Sequence, residues 1–596
     1  MELSQQAGNG AGADGRLSRH ARRALLAIAL ILLAAERVAA VFAVGINWDE
    51  FALLDRARIS YESGELVTGG RPGLAVMALL SFVANCGDEI ATVHSARLLW
   101  LGFTAAFLAG LAVLIAQLQQ RRERRASDAL LGVCLLALVP AFLEWSLQVR
   151  ADQIALAAGV WGGVALLASQ RSPGWALLAG LLFGIGLLAS QKILYLGALV
   201  ALLTVGRLWL TRDLRPGREA LRAALSLGVF AGVVLAYRSA VAVAFDVESS
   251  HASQDVVSVA SVARGMGPFE FYRETLGLRQ YRDMLPTLLP HMALALGLMA
   301  ASLRAVRRRT YTRELTLAWA VLLLGLAVGA FHAGAFFYFW MTLGVFPAVA
   351  FAVARAPLWE LLRDSLALRG DAERAALPRL LAIVFWLALV LPGLLQMSLT
   401  RWDTQEQQRE SLAFIHRNFS KETAGFHPER SPFCWRGEQP LPPFFSMTIY
   451  QHLDGPDPAR NRHHLERMLA TFEERPVAFL LESFRLNQFP VELRRFWAKH
   501  YQPYRGSVFV AGRNLEGSAG THSEFELIVP GHYRWIPRDG PRELHIDGQV
   551  VPAGGILELE PGAHTARVID DATEGMLVLA LDDPPGLAPL KFYKAY

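Results

Sequence analysis

The chain has few cysteines and few charged side chains for its length. Only Cys86, Cys134 and Cys434 occur among 596 residues, which excludes a disulfide-rich scaffold and a zinc site built from cysteines. Cys86 and Cys434 can pair if both face an oxidising compartment, and the sequence leaves this open because it does not give their separation. Charged residues make up 19% of the chain and hydrophobic residues 53%, which is too apolar for a single soluble domain.

The chain also lacks the usual signals of nucleotide, nucleic-acid and histidine-based metal binding. Gly184-Ile185-Gly186 lies inside an apolar stretch, where it indicates helix packing and not a phosphate loop. His463 and His464 are adjacent and lack the spacing of metal ligands. The net charge of +5 comes from arginines in short clusters between apolar stretches, a pattern typical of topology signals. The sequence therefore predicts neither nucleic acid nor a nucleotide sugar as a partner.

Long apolar stretches are confined to the first 400 residues of the chain. Their lengths of roughly 16–24 residues approach or reach what is needed to span a membrane, and they predict about eleven spans. Residues 24–44 follow a basic segment, residues 1–23, and are predicted as a retained first span because further spans follow. The other predicted spans lie at 96–118, 128–143, 153–169, 174–189, 193–210, 222–245, 286–303, 314–330, 337–354 and 380–399.

The basic connections between spans predict the orientation. If residues 1–23 are cytoplasmic, every strongly basic connection falls on the cytoplasmic side, as the positive-inside rule requires. An odd number of spans then puts the region after residue 400 outside, which in a bacterium is the periplasm. The prediction is a multi-pass inner-membrane protein whose transmembrane domain, residues 24–400, has outer loops at 45–95 and 246–285.

The region after residue 400 is predicted to fold as two soluble domains. Residues 401–520 combine helical spacing with a buried strand, which indicates an α/β domain. Its helices and strand are predicted at His464–Arg475, Val491–His500 and Val477–Leu481. From about Ser523 the alternation has period two, with turns at Asp547-Gly548 and Pro561-Gly562, so residues 521–596 are predicted as a β-sandwich.

An acidic pair, Asp49-Glu50, directly follows the first predicted span. Carboxylates at a membrane surface are costly to dehydrate, which makes this a reasonable place for a general base or a metal ligand. The stretch Phe51–Gly64 then has helical apolar spacing and a glycine stop, so we predict a helix on the outer leaflet. The alternative is an ordinary solvated loop start with Trp48 as an interfacial anchor.

This order of features resembles the first outer loop of GT-C glycosyltransferases, such as protein O-mannosyltransferases and the aminoarabinose transferases of lipid A. In both, a span is followed by Asp-Glu, a surface helix and a basic residue before proline, here Arg71-Pro72. Four other residues also resemble positions of this family, namely Asp152, Lys192, His332 and Tyr338. The resemblance covers roughly residues 20–355 and implies a GT-C-like helical membrane fold.

The resemblance also implies the chemistry. A sugar would pass from a polyprenyl-phosphate carrier to a lipid, glycan or protein acceptor at the periplasmic face, among membrane lipids. Asp49 is then the candidate base, and Glu50 its orienter or an acceptor contact. Cations suit the departing phosphate, and the candidates are Arg71, Arg150 and Lys192, with Asp152 as a second acidic site.

No cofactor is assigned by these features, and a divalent metal is left open. The family's Glu-Lys-Pro is here Gly70-Arg71-Pro72, which lacks the acidic residue. His332 and Tyr338 are further candidates for the site.

Each candidate also has a structural interpretation. Arg150 and Lys192 can be interface residues that extend toward headgroups. Asp152 can cap its span and pair with Arg150, and His332 can be an ordinary interfacial residue. In the C-terminal region, Tyr533 and Trp535 can stack on sugar or lie in a core. Which of these two roles applies to Tyr533 and Trp535 depends on how their side chains pack in the folded protein.

Two other functions compete with the transferase. A flippase or transporter of lipid-linked sugar would have similar spans and cationic grooves, together with paired half-repeats that are not evident here. A membrane receptor that displays its outer domain would not need Asp49 or Arg71.

Overall fold

A computed structural model gives the fold as two compact units. The first comprises Met1–Phe42, Ser60–Leu80 and His94–Thr400, and the second comprises Ala43–Ile59, Ser81–Val93 and Arg401–Tyr596. The structure describes residues 30–67, 73–119, 125–211, 216–244, 278–330, 339–366, 405–428, 430–435, 458–483, 489–538, 540–569 and 573–586, with isolated positions at 24–28, 380–397, 437 and 486.

The described residues of the first unit are helical apart from short connections. The helices before residue 150 are α1 Leu30–Ala43, α2 Trp48–Ser63, α3 Leu74–Met77, α4 Leu80–Val83, α5 Glu89–Leu118, α6 Arg125–Ala137 and α7 Pro140–Trp145. Those after it are α8 Ala151–Ala168, α9 Gly174–Ala189, α10 Ile193–Thr211, α11 Pro216–Ala244, α12 Leu278–Arg307, α13 Arg313–Ala330, α14 Phe339–Leu343 and α15 Val345–Leu366. Helices α1, α2, α4 and α5 contain residues of both units.

The helices of the described chain identify a multi-pass membrane protein. Seven stretches are long and apolar enough to cross a membrane, and counting the bent pair α1 and α2 as one span makes eight. The seven are Glu89–Leu118, Ala151–Ala168, Ile193–Leu210, Gly217–Ala244, Leu289–Arg307, Arg313–Ala330 and Phe339–Leu361. A shared core of buried aliphatic and aromatic side chains packs six of these helices together, all but Gly217–Ala244.

The number of predicted spans, about eleven, is not reached in this part of the chain. The stretch 128–143 is broken, because Pro140 has no N–H to donate and disfavours a helical conformation at the residue before it. Val139 is accordingly extended, with φ −67° and ψ 124°. Helix α9 has only 16 residues, and the stretch 380–399 is described at isolated positions. The predicted packing role of the glycines in α9 is confirmed, since a Cβ at Gly184 would lie 2.8 Å from Cγ1 of Val233 in α11.

The described residues in the C-terminal part of the second unit form two sheets and three helices. Its helices are α16 Glu406–Asn418, α17 Pro458–Glu474 and α18 Val491–His500. Its strands are β1 Gly425–Phe426, β2 Phe479–Leu481, β3 Tyr501–Arg505, β4 Val508–Gly517, β5 His522–Leu527, β6 Gly531–Pro537, β7 Leu544–Ile546, β8 Gln549–Val551, β9 Ile556–Leu559, β10 Gly562–Val568 and β11 Thr573–Leu579. Seven strands form one sheet in the order β1-β2-β4-β11-β6-β9, with β3 paired to β4, and the other sheet has the order β5-β10-β7-β8.

The predicted elements of this region are confirmed, but the sheet does not break between the two predicted domains. Strand β4 lies before residue 520 and pairs with β11, which lies after it, so hydrogen bonds cross the expected boundary between 401–520 and 521–596. Periodicity along the chain cannot reveal such a pairing, because the two strands are distant in sequence. The predicted Asp547-Gly548 turn is a hairpin in which both residues have positive φ, 48° and 81°.

Candidate active site

An acidic side chain at the start of α8 is surrounded by donors in the first unit. Asp152 lies in the first turn of α8 and is 5% exposed. Its Oδ2 lies 2.8 Å from Nζ of Lys192 and 3.7 Å from Nε of Arg150. Its Oδ1 accepts a hydrogen bond of 3.0 Å from Oγ of Ser190. Three of the predicted site residues, Arg150, Asp152 and Lys192, therefore form one cluster.

Two consecutive helices bring this cluster together. Helix α8 is followed by a short connection and by α9, and the two pack along each other. Helix α9 ends at Ala189 because Ser190 is extended, with φ −155° and ψ 138°. The turn 190–192 therefore meets the beginning of α8. Ser190 is an addition to the predicted set, and its position in the turn, two residues before Lys192, is the signal that points to it.

The burial of Asp152 explains why two cations, Arg150 and Lys192, lie next to its carboxylate. An ionised carboxylate withdrawn from water is unfavourable unless cations or hydrogen bonds compensate it. The side chains of Arg150 and Asp152 are only 6% and 7% exposed. Both cations lie beside the Asp152 carboxylate. Asp152 pairs with Arg150, as the structural interpretation expected, and more closely with Lys192.

Arg150 is also held by its surroundings in the first unit. Nε1 of Trp100 donates to the backbone oxygen of Arg150 at 2.5 Å. The guanidinium carbon lies 5.6 Å from the ring centroid of Trp145, and Nη1 lies 3.5 Å from Oε1 of Gln148. No sequence signal marked Trp100 or Trp145, because aromatic residues in apolar helices are most often core.

The predicted acidic pair lies in the first turn of α2, in the second unit. Oε2 of Glu50 accepts a hydrogen bond of 2.9 Å from the backbone N–H of Asn47, and Oδ1 of Asn47 accepts one of 2.9 Å from the N–H of Asp49. This reciprocal arrangement is a capping box, with Asn47 before the helix and Glu50 in its third position. Glu50 is fully buried, whereas Asp49 is partly exposed. The spacing Asn47-x-x-Glu50 is the sequence signal of this cap.

The chain entering α2 is fixed by helix α16 of the same unit. Gln408 accepts a hydrogen bond from the N–H of Ile46 at its Oε1 and donates from its Nε2 to the oxygen of Ile46, both at 2.8 Å. Nε2 of Gln405 donates to the oxygen of Val44 at 2.6 Å. The predicted helix with its glycine stop is confirmed, since α2 ends at Ser63 and Gly64 has φ +72°. Its residues Phe51 and Leu54 are fully buried, so α2 does not expose these apolar side chains as a leaflet-surface helix would.

A disulfide joins two distant segments of the second unit. Cys86 and Cys434 are bonded, with Cα atoms 5.4 Å apart. Beside this bond, Oε1 of Glu89 accepts a hydrogen bond of 2.9 Å from the N–H of Cys434. Nε2 of His416 lies 2.9 Å from Oε2 of Glu89, and this hydrogen bond raises the pKa of His416 above its ordinary value. The pairing that the sequence left open is therefore made.

Several predicted positions lie outside the described residues. These are Arg71, His332, Tyr338 and the part of the 246–285 loop before α12, which begins at Leu278. Within the described ranges, no three His, Cys, Asp or Glu side chains gather as metal ligands would. Tyr533 and Trp535 are fully buried in the C-terminal core, which agrees with the core interpretation of these aromatics and not with stacking on sugar.

Comparison with known proteins identifies the fold. No protein-family model matches the sequence, and no curated protein matches it. The chain is similar to ArnT from Cupriavidus metallidurans in the apo state, with 15% identity, a TM-score of 0.50, and coverage of 84% of this chain and 98% of ArnT. ArnT bound to undecaprenyl phosphate matches with 16% identity, a TM-score of 0.45, and coverage of 70% and 84%.

An archaeal enzyme is also similar. The oligosaccharyltransferase of Archaeoglobus fulgidus matches with 11% identity, a TM-score of 0.46, and coverage of 95% of this chain and 98% of that enzyme. Both neighbours are GT-C superfamily glycosyltransferases. The similarity to apo ArnT shows that this chain has a GT-C-like fold, as the sequence predicted.

Proposed function

We propose that this chain is a glycosyltransferase that moves a sugar from a polyprenyl-phosphate carrier to an acceptor at the periplasmic face of the inner membrane. The observation that carries the proposal is the cluster of Arg150, Asp152 and Lys192 within a GT-C-like fold. ArnT, whose apo structure has this fold, also binds undecaprenyl phosphate, a carrier of the proposed class.

The charges of the cluster suit a carrier phosphate. The two cations and one carboxylate carry one net positive charge, which favours an approaching anion. Arg150 offers a planar guanidinium that can bind two phosphate oxygens, and Lys192 adds a compact positive charge. Arg71 is the third candidate ligand in this proposal. Together these cations stabilise the negative charge that develops on the departing phosphate.

Asp49 is the proposed general base. The acceptor oxygen forms a bond to the anomeric carbon as the bond from that carbon to the carrier phosphate breaks. The bonding electrons leave with the polyprenyl phosphate, and the hydroxyl proton passes to the Asp49 carboxylate. Glu50, in the capping box, orients the turn that presents Asp49.

The disulfide supports a periplasmic location for the second unit. Bonds such as Cys86–Cys434 persist in oxidising compartments, and the cytoplasm keeps most thiols reduced. This agrees with the orientation that the arginine clusters predict, in which the loop 45–95 and the region after residue 400 lie outside.

The proposal is tested by transfer from defined carriers. Purified full-length protein in proteoliposomes is given radiolabelled polyprenyl-phosphate sugars and a cell-envelope extract, and label in the acceptor fraction is measured. Asp49→Asn is compared with Asp582→Asn, which alters an exposed carboxylate in the C-terminal region. We expect transfer by the wild type and by Asp582→Asn, and a loss of about 100-fold or more in Asp49→Asn.

The other outcomes discriminate the competing functions. Equal transfer by wild type and Asp49→Asn would remove Asp49 from the role of base. Translocation of the labelled carrier without transfer from any donor would identify a flippase. Neither transfer nor translocation, with the protein folded, would favour a receptor that displays its outer domain.

A further inference from the structure

Side-chain hydrogen bonds hold the connection between α7 and α8, in addition to backbone hydrogen bonds from the N–H of Ser146 to the oxygen of Phe142 and from the N–H of Gln148 to that of Trp145. The connection runs over residues 146–150 and lies directly before the Asp152 cluster. Oγ1 of Thr104 donates to the oxygen of Ser146 at 3.2 Å, and Nε1 of Trp100 donates to that of Arg150 at 2.5 Å. Buried carbonyls need donors, so side chains of α5 fix the path of this connection.

Gln153 supplies the donors in the middle of the connection. Its Nε2 donates to the oxygen of Gln148 at 2.8 Å and to that of Trp145 at 3.1 Å. An amide nitrogen has two hydrogens, and both acceptors are carbonyls, so the NH2 group must face the connection. Gln153 is 2% exposed, which keeps water from replacing these two bonds.

Gln153 binds the backbone oxygens of Trp145 and Gln148, and the side chains of the same two residues contact the Arg150 guanidinium. The ring of Trp145 lies beside that guanidinium, and Oε1 of Gln148 lies 3.5 Å from its Nη1. Loss of the Gln153 amide would therefore release Trp145 and Gln148, two of the residues that contact Arg150, at the same time. We propose that Gln153 is a positioning residue that holds Arg150 in the orientation in which it binds the carrier phosphate.

This inference rests on the proposed function, in which Arg150 is a phosphate ligand. A planar guanidinium binds two phosphate oxygens only when its plane is correctly oriented, and groups that fix the plane beforehand reduce the entropy lost on binding. The carrier phosphate is bound both before and during transfer. Because the phosphate also gains negative charge as it departs, a freed Arg150 should raise the KM for the carrier and lower kcat as well.

The test is a set of variants assayed with a saturable polyprenyl-phosphate sugar. Gln153→Leu removes the donors at similar volume, and we expect the KM for the carrier to rise about tenfold. Gln153→Glu should have a larger effect, because a carboxylate oxygen would face two carbonyl oxygens. Gln119→Leu is the matched control, since Nε2 of Gln119 also donates to a backbone oxygen of the same unit, that of Ala352, at 2.6 Å.

A double-mutant cycle separates positioning from general destabilisation. If Gln153 acts through Arg150, Gln153→Leu has no further effect on KM in an Arg150→Ala background. The proposal is overturned if the effects of Gln153→Leu and Arg150→Ala on KM multiply in the double variant, or if Gln153→Leu alone has the KM of the wild type. If Gln153→Leu does not fold, Trp145→Leu is used instead, because it removes the ring that lies beside the Arg150 guanidinium. Its effect on KM is measured with and without Arg150→Ala, and effects that multiply would again overturn the proposal.

Failure of the proposed function gives a different result. If the wild type transfers no sugar, binding of undecaprenyl phosphate is measured directly by native mass spectrometry. Weaker binding by Gln153→Leu than by wild type and Gln119→Leu supports the positioning role. Equal binding by all three overturns it.

Discussion

Nζ of Lys192 lies 2.8 Å from Oδ2 of Asp152, and both side chains are largely withdrawn from water. A buried ion pair of this kind responds differently to the loss of one partner and of both. Removing one partner leaves a charge that is buried and less well compensated, which costs about 3–5 kcal/mol in comparable pairs. Removing both charges leaves Arg150 as the one charge of the cluster, which is less unfavourable than two cations without their carboxylate, so the single and double variants can be told apart.

The first prediction concerns this pair. Asp152→Asn leaves two largely buried cations, Arg150 and Lys192, without the carboxylate of the cluster, and we expect a clear fall in the Tm of the purified protein. Adding Lys192→Met removes one of the two cations and should restore part of that Tm, whereas transfer should stay low in both variants. Glu526→Gln is the control, because its ion pair with Lys499 is exposed and should contribute at most about 1 kcal/mol. A double variant no more stable than Asp152→Asn would contradict the prediction.

The second prediction separates Asp49 from its neighbour. Glu50→Gln retains an acceptor oxygen for the N–H of Asn47, so the cap and the Tm should be kept. Glu50→Ala removes the cap and should lower stability by about 1 kcal/mol. Asp49→Asn should reduce transfer by about 100-fold or more while leaving the Tm within about a degree of wild type. Parallel Tm and transfer measurements on the three variants check this, and a large Tm loss in Asp49→Asn would assign that residue a structural role.

The membrane fold and one part of the site were accessible from sequence because their signals are local. Apolar length predicts spans, and the residues before and after a span predict what lies at its ends. Asp152 and Lys192 lie beside spans and are predicted as site residues from their resemblance to family positions, and the packing of α8 against α9 brings them into contact. Pro140 was equally visible, and it explains why the predicted span 128–143 is broken.

The contacts that span long sequence separations could not be predicted. Gln408 binds the backbone of Ile46, and Cys86 bonds to Cys434, but neither partner carries a local mark of the other. The same holds for the pairing of β4 with β11 across residue 520. Periodicity describes how one segment buries its own face. It does not state which distant segment covers that face.

The third prediction concerns the disulfide. The bond joins residues 348 positions apart, so reduction should release the segment 81–93 from its link to Cys434. We expect reduction to lower the Tm and to accelerate proteolysis within 81–93 and 430–435, consistent with roughly 2–5 kcal/mol for a native disulfide. Cys134→Ala, which removes the free buried cysteine, should keep the response to reductant. The Cys86→Ser/Cys434→Ser variant should be destabilised already and insensitive to reductant, and unchanged proteolysis in it would contradict the prediction.

The fourth prediction is a pH dependence that comes from His416. Its hydrogen bond to Glu89 raises the pKa of His416 in the folded state above the ordinary value of about 6.5. The pair therefore stabilises the fold fully below about pH 6.5, and this contribution is lost as the pH rises through the folded-state pKa. The Tm difference between wild type and His416→Gln should be largest near pH 6 and shrink toward pH 9.

His427, which is buried whereas His416 is exposed, sharpens this assignment. Burial lowers the pKa of His427 to about 3, so His427 is neutral in both the folded and unfolded states well above pH 6.5. It therefore cannot produce a change of stability in the alkaline range, and its own effect is a loss of stability as the pH falls below about 6.5. If the Tm difference between wild type and His416→Gln were constant from pH 6 to pH 9, the pair with Glu89 would be acting only as a neutral hydrogen bond.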